Sequence, residues 1–126
     1  MAKEITLAAS IKLSNLGLKT NPSISGFKVD QATRVLIRDV VTMTTTPVAL
    51  ALGGVVTPGW AFFLNLEDPA TSTDIIVVGP SPSSAGALQP FIELEPGEFF
   101  VARLAVAPHA KSLTGTPQLD YTILGK

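Results

Sequence analysis

The chain has 126 residues, of which 46% are hydrophobic and 15% charged, with a net charge of -1 and no cysteine. The lack of cysteine excludes disulfides and thiolate metal sites, and the lack of a basic run argues against non-specific nucleic-acid binding. The charged fraction is well below the ~25% usual in soluble proteins, which favours a surface covered by other subunits over the alternative of a well-packed small domain with little polar surface.

The length fits one domain of ordinary size. The N-terminal residues show no continuous apolar core after Lys3, so we expect no signal peptide. The longest apolar run, Val48–Val56, is far shorter than the ~20 residues that span a bilayer. We therefore expect a protein made and kept in the cytoplasm until assembly, with no membrane partner.

Alternating apolar residues predict strands in the first half of the chain. The cleanest pattern runs over residues 5–13, and an N-terminal strand or arm at about 3–14 is a candidate for subunit contacts. A short strand at 25–30 and a long one at 32–44 follow. Residues 48–52 predict another strand, although their alanines and leucines leave a helical turn as the alternative.

The second half centres on Trp60–Leu66, which follows a Pro-Gly turn and contains the single tryptophan. Its length, aromatic content and flanking prolines favour a strand over a helix. Proline and glycine predict turns at 95–98, 108–111 and 114–117. Further strands are predicted at 74–78, 91–94, 99–106 and 119–124.

Short strands separated by a turn every ten residues or so are typical of an all-β sandwich or jelly roll. We therefore predict one jelly-roll-like β-sandwich over residues 1–126, with about eight short antiparallel strands.

Two sets of side chains are candidate interface or core anchors. Trp60, Phe62 and Leu64 share one face of the central strand by period-two alternation. Trp60 suits a core or subunit contact, and a sugar-stacking platform is the alternative. Arg34 and Arg38 share a strand face, from which they would hold carboxylates across an interface or simply face solvent.

The residues with chemical potential do not converge on a reaction. His109, the only histidine, is predicted to lie in a loop, and no Gly-x-Ser-x-Gly motif accompanies it. Glu93, Glu95 and Glu98 would suit a hard cation or an acid–base pair, but a solvated loop rim is the favoured interpretation. We expect no catalytic, cofactor or metal residue and no enzyme activity.

Four segments carry a resemblance to a known group of proteins. In order, they are Thr57–Leu66, Ile75–Gly79, Pro90–Glu98 and Leu119–Gly125. Together they resemble small structural proteins of tailed bacteriophages, over about the C-terminal half of the chain. The resemblance implies a β-sandwich in the virion without catalytic residues.

The resemblance leads us to expect a capsid decoration (cement) protein. Such a protein binds the major capsid protein or other virion proteins and stabilises the head shell, here as a homotrimer whose copies add avidity. The alternatives are a head or tail fibre component, or a carbohydrate-binding β-sandwich module with Trp60 as its platform.

Overall fold

A computed structural model of the chain describes residues 5–10, 13–15, 18–20, 23–29, 35–82 and 86–126. These residues form twelve strands and no helix. The strands are β1 (Ile5–Ser10), β2 (Leu13–Asn15), β3 (Leu18–Thr20), β4 (Ser23–Val29), β5 (Leu36–Thr42), β6 (Val48–Ala49), β7 (Pro58–Asn65), β8 (Ile76–Gly79), β9 (Ile92–Leu94), β10 (Phe99–Arg103), β11 (His109–Ser112) and β12 (Gln118–Gly125).

The chain divides into two compact units, Met1–Ala32 and Thr33–Lys126. In the first unit, β1 pairs antiparallel with β4 and β2 pairs antiparallel with β3. The β1–β4 pair has a register shift between Leu7 and Ala9. The sandwich lies in the second unit, whereas we expected it to extend over the whole chain.

The second unit consists of two four-stranded antiparallel sheets. The first sheet has the order β10-β7-β12-β5, and the second has the order β6-β11-β8-β9. The eight strands pair from the outside inward along the chain: β5 with β12, β6 with β11, β7 with β10 and β8 with β9. The predicted all-β antiparallel sandwich is confirmed.

The two sheets enclose one hydrophobic core. Phe63, Tyr121 and Ile123 enter it from the first sheet, and Ile76 and Leu94 enter it from the second. Burial of such side chains stabilises a domain by about 1.5–3 kcal/mol each.

A buried amide joins the sheets at the end of β7. The Asn65 side chain is fully buried, and its Nδ2 donates hydrogen bonds to the carbonyls of Asp74 and Leu94, each at 3.0 Å. Its Oδ1 accepts from the backbone N–H of Glu67 at 3.1 Å. Because both ends of the amide are hydrogen-bonded, burying it is compatible with a stable core.

The predicted turn at 95–98 is confirmed. Gly97 has a φ of 82°, and the N–H of Glu98 donates to the carbonyl of Glu95 at 3.0 Å. Proline followed by a glycine with positive φ is the sequence that a type II turn favours.

Three predicted elements differ from the structure. The sequence predicts a turn at 108–111, but His109–Ser112 is the strand β11, an inner strand of the second sheet. The predicted strand at 48–52 is only Val48–Ala49, without a helical turn, and the strand predicted at 99–106 ends at Arg103.

Candidate subunit interface

The outward side of the first sheet carries mostly apolar side chains. The strand pairings arrange them in rows that run from β10 through β7 and β12 to β5. We call this set the outer face. Its first row is Phe99, Leu64, Asp120 and Val40; its second is Val101, Phe62, Thr122 and Arg38; its third is Arg103 and Trp60, with Leu124 and Leu36 beyond a register shift in β12.

The apolar members of the outer face are accessible to solvent to different degrees. Phe99 is 64% exposed, and Leu36, Val40 and Val101 are exposed as well. The Phe62 and Phe99 rings stack, with centroids 6.0 Å apart and planes inclined by 21°. A contiguous exposed apolar patch, unlike scattered apolar residues, marks an interaction site on a protein surface.

Asp120 places a buried carboxylate within this apolar surface. It is 7% exposed, and its Oδ2 lies 3.3 Å from the Nη2 of Arg38, whose side chain is 70% exposed. Its Oδ1 is buried without a hydrogen-bond partner in the described part of the chain. An unsatisfied buried acceptor costs about 1–3 kcal/mol, and a donor from a binding partner would recover that free energy.

The predicted anchors on β7 do not belong to the core. The burial of β7 alternates, with Ala61, Phe63 and Asn65 facing the core. Trp60, Phe62 and Leu64 are half-buried on the outer face, and Arg38 lies on the same face. Arg34 is outside the described residues.

Comparisons with protein-family models, with curated proteins and with solved structures found no match.

Sequence reasoning missed the other members of the outer face. Phe99, Val101 and Arg103 alternate with more buried neighbours on β10, and Asp120 lies between Leu119 and Tyr121 on β12. Alternation shows which residues of a single strand lie on the same face. The arrangement of β10 and β12 on either side of β7 comes from pairings between distant residues, and alternation within one strand does not say which strands become its neighbours.

Two glutamate side chains, Glu98 and Glu67, accept backbone hydrogen bonds. Glu98 Oε2 accepts from the N–H of Glu95 at 2.9 Å, and Glu67 Oε1 accepts from the N–H of Gln118 at 3.0 Å. Glu93 and Glu95 are exposed. Within the described ranges, no three His, Cys, Asp or Glu side chains come together as a possible metal site.

His109 lies in β11, so its predicted loop position is wrong. It is opposite Ala49 on one side and Gly79 on the other. Its Nδ1 is buried and has no hydrogen-bond partner among the described residues. The residues opposite it are an alanine and a glycine, and neither offers a side-chain nucleophile or proton donor.

A cavity of about 190 Å³ opens where β9 and β10 form neighbouring edges of the two sheets. Its lining includes four apolar residues and one charged residue: Val78, Ile92, Leu104, Val106 and Arg103. Typical ligand pockets measure roughly 300–1,000 Å³, so this cavity is small for an organic ligand.

No helix long and apolar enough to cross a bilayer occurs in the described part of the chain.

Proposed function

We propose that this protein is a non-enzymatic structural subunit of a tailed-phage virion, a capsid decoration protein that binds and stabilises the head shell. The observation that carries the proposal is the outer face, an exposed apolar surface on a chain with few charges. The resemblance of the C-terminal half to small phage structural proteins supports the same role.

We further infer that the sandwich is a jelly roll. Its eight strands pair first with last, second with seventh, third with sixth and fourth with fifth, as in a long hairpin rolled into two sheets. Jelly rolls are frequent in viral capsid proteins and in lectins. The pairing therefore supports a virion subunit first and a carbohydrate-binding module second.

Burial of the outer face supplies a contact of moderate strength. Four strands about 4.8 Å apart and five residues rising about 3.4 Å each define a surface of roughly 19 by 17 Å. About two thirds of this surface is apolar, and covering about 200 Å² of apolar area gains roughly 5 kcal/mol before association costs of a similar size. One contact of this kind between copies is weak, so we propose that the assembled copies bind the shell together by avidity.

The test is to measure the mass of the purified protein by light scattering, with and without purified capsids that lack it. We expect an oligomer that co-sediments with capsids and raises the temperature at which they release their genome. A monomer that leaves capsids unchanged, together with its absence from purified virions by mass spectrometry, would overturn the proposal.

A carbohydrate-binding module, alone or on a head or tail fibre, is the second candidate. The exposed Phe99 ring beside Phe62 favours it, because sugars stack on exposed aromatic rings. Glycan-array binding that Phe99→Ala and Trp60→Ala abolish, in a protein that ignores capsids, would establish this alternative.

A further inference from the structure

We propose that the outer face binds the outer face of a second copy about a two-fold axis close to Phe62, with Arg103 of each copy paired to Asp120 of the other. This inference rests on the proposed function, in which the outer face is a subunit contact, and it names the partner.

The strand register sets the geometry of the contact. Arg103 lies opposite Trp60, and Asp120 lies opposite Leu64. Phe62 lies midway between those two β7 residues, and β7 lies between β10 and β12. Arg103 and Asp120 are thus at equal distances on opposite sides of Phe62, about 17 Å from each other by sheet spacings.

A two-fold contact exchanges these positions. When two such faces meet around a two-fold axis that passes near Phe62, in the contact plane and perpendicular to the line from Arg103 to Asp120, the position of Arg103 on one copy comes over that of Asp120 on the other. Both arginine–aspartate pairs then form at once. Facing sheets pack about 10 Å apart, a gap that an arginine side chain spans.

The charges available on one copy fit this exchange. Arg103 is exposed and forms no ion pair within the described ranges. Asp120 uses Oδ2 for Arg38 and keeps Oδ1 buried and unsatisfied among the described residues. This oxygen is closed to solvent in one copy, so neighbouring side chains of the outer face must shift before an arginine of the facing copy can donate to it. Charge-assisted bonds of that kind are the stronger ones.

Self-complementarity identifies the partner as a second copy. An isologous contact needs one patch that carries both halves of each interaction, whereas a different protein would supply one half itself. Here an arginine without an ion pair and a carboxylate oxygen without a hydrogen-bond partner, both in the described part of the chain, flank an aromatic centre, Phe62 stacked on Phe99. By the dimensions given above, the two faces would bury on the order of 650 Å², which is less than stable specific complexes bury and makes this a weak contact.

The test uses two charge-reversed proteins, Arg103→Glu and Asp120→Lys, whose masses are measured by analytical ultracentrifugation without capsids. In each variant alone, like charges meet at both ends of the contact, so we expect dimerisation to weaken at least about tenfold. In an equimolar mixture, opposite charges meet at both ends, and we expect a heterodimer that forms about as well as the wild-type dimer.

Lys111→Glu is the matched control, because Lys111 lies on β11 in the second sheet. We expect it to leave self-association unchanged. If Asp120→Lys does not fold, Asp120→Asn replaces it in a double-mutant cycle with Arg103→Ala. The double variant should then weaken dimerisation by a smaller factor than the product of the factors measured for the two single variants.

Wild-type protein that stays monomeric at high concentration, a mixture that fails to restore association, or independent effects in the cycle would overturn the two-fold contact. Such results leave capsid binding to be judged by its own assay. A dimer that ignores capsids would support the two-fold contact and contradict the decoration role.

Discussion

Asn65 shows how a single polar residue ties the two sheets together. Its amide connects β7 to the Leu94 carbonyl of β9 and to the Asp74 carbonyl that precedes β8. Both of those bonds are donated by the two Nδ2 hydrogens. The site therefore requires a side chain with two N–H donors, and a polar side chain without them would not serve.

We therefore predict that Asn65→Asp lowers the free energy of unfolding by roughly 3 kcal/mol at neutral pH, because a buried carboxylate would face two carbonyl oxygens. Burial should raise the pKa of the new carboxyl above its unfolded value of about 4. The destabilisation is then smallest below that pH and grows as the pH rises. Urea unfolding at neutral pH and below pH ~4 measures this pH-dependent destabilisation. The control is Gln89→Glu, at an exposed loop position.

Tyr121 is the second residue whose polar atom anchors the core. Its side chain is buried, and its hydroxyl donates to the carbonyl of Ala51 at 2.9 Å. Burial, and then the negative charge of Asp39, raise the pKa of Tyr121, against a lowering by the bond to Ala51. Since the chain has one tyrosine, the absorbance of tyrosinate reports on this residue alone.

We predict that the folded protein forms tyrosinate only above pH ~10, the unfolded value. Because the folded pKa is the higher one, the contribution of Tyr121 to stability is complete below pH ~10 and is lost as the pH rises through the folded pKa. Tyr121→Phe should lower stability by about 1 kcal/mol below pH ~10 and should flatten this alkaline decline. An absorbance midpoint at or below pH ~10 would contradict the assignment.

At the scale of elements, the loop between β11 and β12 depends on a glycine. Gly115 has a φ of 68°, and a Cβ at this position would collide with the carboxylate of Asp74. That carboxylate accepts a hydrogen bond from Thr114 Oγ1 at 3.4 Å, and Ser112 Oγ donates to the Gly115 carbonyl at 2.9 Å. The loop therefore packs so closely around residue 115 that only glycine fits there without a shift of Asp74.

Gly115→Ala should cost roughly 2–4 kcal/mol, of which about 1 kcal/mol comes from the positive φ and the rest from the collision. Gly86 separates the two effects, because it also has a positive φ, 78°, but a Cβ added to it would meet no described atom within 4 Å. Gly86→Ala should therefore cost about 1 kcal/mol, from the backbone alone. Thermal unfolding of both variants gives the comparison, and equal losses would show that the collision is relieved without cost.

The sequence predicts most strands of the sandwich because their apolar residues alternate and their ends carry proline or glycine. It does not reveal β11, since Pro108 suggests a turn and the buried positions Ala110 and Ser112 are small. Nor does it tell which side of β7 is buried. The inward side holds Asn65, whose burial depends on the carbonyls of Leu94 in β9 and of Asp74, which lies in the loop before β8.

For the whole molecule, the outer face allows the stability of the fold to be measured separately from the proposed assembly. Phe99 is 64% exposed and Phe91 is 70% exposed, so each contributes little when the isolated subunit folds. Phe99 lies in the first sheet beside Phe62, whereas Phe91 precedes β9 in the second. They form a matched pair of exposed phenylalanines, one on the outer face and one away from it.

We predict that Phe99→Ser and Phe91→Ser each change the free energy of unfolding by less than about 1 kcal/mol, as exposed substitutions do. Only Phe99→Ser should weaken self-association and capsid binding, by about tenfold or more, because it removes an aromatic ring next to the centre of the contact. Urea unfolding measures the first quantity, and ultracentrifugation with co-sedimentation measures the second. Equal loss of assembly in both variants would point to general surface hydrophobicity, and loss in Phe91→Ser alone would move the contact to the second sheet.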